Sequence, residues 1–188
     1  MKRKILLPLI ISLAVVASVS AGMYQANVTM KIDPVVGATG GSELAFAPGS
    51  GGASGVSGNF ITTDPNNALQ IIVDFGQVQP NSIYQYHEVL KVTNNKPYDV
   101  ELKVSAVSGN ITTLDNLEIW HGGCSCNTWQ WMYASKYGGV QPGKIILKAH
   151  GDACDHDYIS FFLSTAYTDP GGNYTGTVTF QAYKYQSP

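Results

Sequence analysis

All three cysteines and three of the four histidines lie between His121 and His156, in the phrases HGGCSCNTW and HGDACDHDY. Cys124 and Cys126 are spaced i, i+2, and so are Cys154 and His156. Alternate residues of a strand share a face, so each pair can point two side chains at one place. Three thiolates and an imidazole suit tetrahedral Zn²⁺. A closed set of four leaves no position open for substrate, so such a site would be structural. The competing chemistry is a disulfide between Cys154 and either Cys124 or Cys126, which would staple two strands and leave one thiol over. The sequence keeps both chemistries open at Cys124, Cys126, Cys154 and His156.

Other chemistries fit less well. A cupredoxin-type copper site wants a longer Cys-to-His spacing than Cys154 to His156 and a following Met, and no Met follows Met132. No HExxH and no G-x-S-x-G phrase is present to support a hydrolase. Asp152, Asp155 and Asp157 read as a solvated turn in preference to a Ca²⁺ loop. The chain is therefore expected not to be an enzyme. Among the aromatic residues Trp120, Trp129, Trp131, Tyr133 and Tyr137, the alternating pair Trp129 and Trp131 shares a strand face. That spacing predicts core packing or a subunit contact, with a carbohydrate platform as the alternative.

These residues need a frame. Lys2, Arg3 and Lys4, the apolar run Ile5 to Ala17, and Val19-Ser20-Ala21 have the layout of a secretory signal peptide, so residues 1–21 are expected to be removed. No other stretch is apolar enough to span a bilayer, so no membrane association is expected after cleavage. A net charge of −2 with 13% charged residues gives no basic footprint for nucleic acid. Sequons at Asn27, Asn110 and Asn173 are possible glycosylation sites in an exported chain.

Strand signals recur along the rest: Leu69 to Phe75, Tyr84 to Asn94, Asp99 to Val107, Glu118 to Trp120, Trp129 to Tyr133, Lys144 to Ala149, Tyr158 to Tyr167 and Gly176 to Tyr185. Turn phrases such as Asn94-Asn95-Lys96-Pro97 and Gln141-Pro142-Gly143-Lys144 separate them. The fold class is all-β, an antiparallel β-sandwich or jelly roll, with at most a helical turn around Asp115 to Leu117. In GTVTFQAY, Val178, Phe180 and Ala182 point inward, and this strand should lie near the centre of a sheet. In HEVLKVTN the pattern is mixed. Behind the signal, residues 22–34 alternate strictly, with Tyr24, Ala26, Val28, Met30 and Ile32 apolar. Residues 35–60 are rich in Gly, Ala and Ser, and residues 61–188 carry the sandwich domain.

Three phrases carry a family resemblance: FGQVQPNSIYQYHEVLKVTNNKPYDVELKV, VQPGK and NYTGTVTFQAYKY. Together with the signal and the alternating N-terminus, the chain resembles the TasA/camelysin-like secreted jelly-roll proteins, and especially the archaeal bundling pilins similar to them. Protease activity has been attributed to camelysin-type relatives, but no residues here carry it. The resemblance implies a homopolymer built by donor-strand complementation. Residues 22–34 of one subunit would complete a sheet in the next, 35–60 would be the connection, and the filaments would bundle laterally, as in a biofilm matrix. Strand pairing within the chain is the competing expectation. A secreted monomeric module binding carbohydrate or metal is the second functional class.

Overall fold

The computed structural model describes residues 26–36, 44–49, 61–64, 67–122, 128–169 and 171–186. The expected signal peptide, Tyr24, most of the Gly-rich segment, Cys124 and Cys126 lie outside them. Twelve strands are described: β1 (Ala26–Val36), β2 (Leu44–Pro48), β3 (Ile61–Asp64), β4 (Asn67–Val78), β5 (Ile83–Asn94), β6 (Val100–Ser108), β7 (Asn116–His121), β8 (Gln130–Ala134), β9 (Gly139–Val140), β10 (Ile145–Leu147), β11 (His156–Ser164) and β12 (Gly172–Lys184). They form two six-stranded sheets, ordered β10-β6-β12-β1-β4-β3 and β2-β5-β11-β7-β8-β9. Every described pairing is antiparallel except that of β1 with β12. The all-β, sandwich-like class expected from the alternating strands is therefore what the chain adopts. No helix of the described residues is long and apolar enough to cross a membrane.

The sheets meet through aromatic and branched side chains. Phe75 of β4 packs edge-on against Phe161 of β11 at 5.2 Å and against Tyr86 of β5 at 4.9 Å, and Phe46 of β2 meets Phe180 of β12 at 5.6 Å. Leu90, Leu102, Leu117, Ile119 and Val178 have no exposed surface. Burying each such side chain contributes about 1.5–3 kcal/mol, so this interior is the main support of a chain with few charges. Along β12, Val178, Phe180 and Ala182 are buried while Thr177, Thr179 and Gln181 between them are half-buried and Tyr183 is exposed, as the alternation requires.

Polar side chains fix the connections. Asn94, wholly buried, donates from Nδ2 to the carbonyls of Tyr98 (2.8 Å) and Lys148 (2.7 Å) and accepts the Lys96 N–H at Oδ1. One side chain thus ties the β5–β6 turn to the segment between β10 and β11. The mixed pattern of β5 has a local cause: Glu88 takes φ of 49°, and the register with β11 slips between Leu90 and Tyr86. The bulge lets Tyr86, Val89, Leu90 and Val92 all be buried, and Ser160 Oγ accepts the displaced Glu88 N–H at 2.8 Å. The helical turn expected at Asp115 to Leu117 is corrected. A 3₁₀ turn occupies Asn110–Thr113 and β7 begins at Asn116, where the register with β11 already holds the chain extended.

Candidate functional site

The first candidate is the place that β1 occupies. It runs parallel to β12 on one side and antiparallel to β4 on the other. Val28, Met30 and Ile32 stand at the register positions of Tyr174, Gly176 and Val178, all buried, and Met30 also faces Val73. The register thus pairs these positions with buried residues of β12 and β4, and Ala26, opposite Gly172 and Val78, begins the same alternate series. Gly176 leaves no room for a side chain: a Cβ there would collide with Ile111 Cγ2 and come within 3.0 Å of the Ser108 carbonyl. β1 belongs to the first sheet while the next strand, β2, lies in the second. No hairpin therefore ties β1 to either neighbour.

The three sequons converge on one end of that sheet. Asn27 is the register partner of Asn173, and Asn110 donates from Nδ2 to the Asn173 carbonyl at 2.9 Å while accepting the Thr175 N–H at 2.7 Å. The Asn110 amide is thus engaged in holding the 3₁₀ turn to β12.

The second candidate is the Cys and His corner. Cys154 is disulfide-bonded. Cys124 and Cys126, the partners expected from the sequence, lie outside the described residues. A sulfur held in a disulfide is not a thiolate ligand, so the three-thiolate, one-imidazole set is not the arrangement present. Among the described residues no three His, Cys, Asp or Glu side chains are placed to hold a metal. The strand-face argument fails for Cys154 because β11 starts at His156 and Cys154 belongs to the preceding turn, closed by Lys148 N–H to the Cys154 carbonyl at 2.8 Å.

The three aspartates of this corner separate. Asp152 is exposed. Asp155 receives His156 Nδ1 at 2.9 Å and the Gly151 N–H at 3.1 Å, and these two bonds, the histidine's first, hold its carboxyl below the ordinary aspartate range. Asp157 is wholly buried and lies 3.2 Å from His121 Nδ1. The other ring nitrogen of His121, Nε2, is buried without a hydrogen-bond partner. His121 was not among the residues singled out as ligands. The signal available was parity: it continues the inward row of Leu117 and Ile119 on β7.

The third candidate is an aromatic cleft on the outer face of the second sheet, where Trp129 and Trp131 do not pack into the core. They are 48% and 36% exposed. Trp131 lies edge-on to Trp120 at 4.9 Å and stacks on Tyr137 at 5.2 Å, while Tyr133 is turned inward and buried. Beside them opens a cleft of about 380 Å³ lined by Gln85, His87, Glu118, Trp120, Trp129 and Phe162. Glu118, 8% exposed, accepts Asn116 Nδ2 on one carboxylate oxygen and Trp120 Nε1 on the other, both at 2.7 Å.

Compared with known proteins, the chain matches no family model and no curated sequence.

Proposed function

We propose that the chain is a non-catalytic subunit of an extracellular filament, a bundling pilus or biofilm-matrix fibre of the TasA-like kind. In this reading β1 of one copy fills the place between β4 and β12 of the next. The observation that carries it is the position of β1, an N-terminal strand in the middle of a sheet with no hairpin to either neighbour. Removing it would leave β4 and β12 facing each other as two edges with unpaired N–H and C=O groups, a gap shaped for one strand.

The jelly-roll reading is supported by the order of the remaining strands. With β1 and the short β2, β3 and β9 set aside, β4, β12, β6 and β10 lie in one sheet and β5, β11, β7 and β8 in the other. Consecutive strands then change sheet at every step except β7 to β8, as in an eight-stranded double-sheet wrap. A strand from a second copy has the same sequence as the one paired in cis, so it satisfies the same register and the same apolar positions. Such a contact is heterologous, and repeating it gives an open fibre instead of a ring. Export through the signal-like residues 1–21 would bring the subunit to the cell surface.

Negative-stain electron microscopy of the exported protein tests this. Fibres are expected, and a Val28→Asp change should abolish them by placing an unpaired charge in the slot. Globular particles under every concentration and salt condition would rule the filament out.

A further inference from the structure

We propose that the cleft on the outer face of the second sheet is a binding site for a quaternary ammonium ion. Trp120, Trp129 and Phe162 line it together with Gln85, His87 and Ser160, and nearly half of the Trp129 surface is open to solvent. At about 380 Å³ the cleft is within the range of small-ligand sites. Its lining includes the carboxylate of Glu118, which is almost fully buried.

No cationic side chain of the described residues pairs with that carboxylate. Ion pairs among them are found at Asp157, Glu101, Asp99 and Asp155. The lysine–ring contacts of the described residues fall on Tyr98, Tyr183 and Tyr185, away from the tryptophans. A buried carboxylate beside two indole rings, one of them half exposed, is complementary to a cation, because the negative ring faces and the carboxylate attract the same charge.

The hydrogen-bond inventory decides which cation. Each Glu118 oxygen already accepts one N–H, from Asn116 and from Trp120, so about half of its lone-pair sites are taken. A primary ammonium brings three donors that need acceptors, and a sugar brings several hydroxyls. Gln85, His87 and Ser160 offer a few partners at the cleft, but against the aromatic remainder of the lining most of those groups would lose water without replacement. A quaternary ammonium has no donors to satisfy and presents methyl groups to the indole faces.

The test is titration of the purified protein with tetramethylammonium chloride, followed by saturation transfer from the protein to its methyl signal and by tryptophan emission. Saturable binding is expected. n-Butylammonium and glucose should bind at least tenfold more weakly. Trp129→Ala, a change at an exposed side chain, and Glu118→Gln should each weaken tetramethylammonium at least tenfold, while Tyr167→Ala, an exposed ring outside the cleft lining, should leave it unchanged. Unsaturable signal, equal binding by the variants, or preference for glucose or the primary amine would overturn the proposal.

Discussion

His121 and Asp157 form a buried pair across β7 and β11, Nδ1 to Oδ2 at 3.2 Å, with the far nitrogen of the ring unpartnered. The pair closes one end of the interior, beside Ile159, the register partner of His121. Asp157→Ala should cost about 2–4 kcal/mol, because it leaves the ring with neither nitrogen bonded in a dry site. His121→Leu combined with Asp157→Leu should cost less than the sum of the single changes, since both members of the pair are then apolar. Urea denaturation of the four proteins measures the coupling, and simple additivity would show that the pair does not act as one.

Tyr86 is a second buried polar group with a pH consequence. Its hydroxyl donates to the Phe75 carbonyl at 3.1 Å, and burial, then Tyr84 and Asp74, push its pKa up to about 12. The folded value lies above the unfolded one, so this stabilisation is complete below about pH 10 and is lost as pH rises toward 12. Two units correspond to a loss on the order of 2 kcal/mol, and Tyr86→Phe should reduce the alkaline loss in a urea-midpoint series at pH 8 to 11.5, leaving the part that comes from other raised groups such as buried Tyr133. Asp155 works in the opposite sense. Its pKa is lowered, so its contribution is present above the ordinary aspartate range and fades as pH falls through its depressed value.

Most of the frame was legible because its strands alternate. All eight strand signals beyond the N-terminus coincide with β4 to β8 and β10 to β12. β2, β3 and β9 were not seen, since five, four and two residues carry too little periodicity and β2 lies within a stretch read as connection. The bulge at Glu88 was visible only as a broken pattern. The exposure of Trp129 and Trp131 was not readable, because two residues sharing a strand face do not say whether that face is covered. That Cys154 lies in a turn ahead of β11 and does not share a strand face with His156 is not revealed by i, i+2 spacing.

The disulfide makes a countable prediction. Denatured without reductant, each chain should titrate one free thiol, rising to three after reduction, with no zinc retained. Closing a loop of roughly 30 residues should stabilise the fold by about 3–4 kcal/mol, so reductant should lower the denaturation midpoint. Three thiols before reduction, or one bound zinc per chain, would contradict it.

Gly176 offers a packing test beside β1. Gly176→Ala would drive its Cβ into Ile111 at the position paired with Met30, and a cost of about 1–3 kcal/mol is expected. Pairing it with Ile111→Ala should cost less than the two single changes added, because the smaller side chain makes room. Strict additivity of the thermal midpoints would mean that the two sites relax independently.

The source of β1 is most directly tested by deleting residues 22–36 and adding them back as a synthetic peptide. If the strand is donated between copies, the truncated chain should stay folded by circular dichroism, form no fibres, and bind the peptide one to one by calorimetry. Val28→Asp in the peptide should abolish that binding. A truncated chain that unfolds and is not rescued by the peptide would make β1 an ordinary internal strand. One that stays folded and still forms fibres would contradict donor-strand assembly outright.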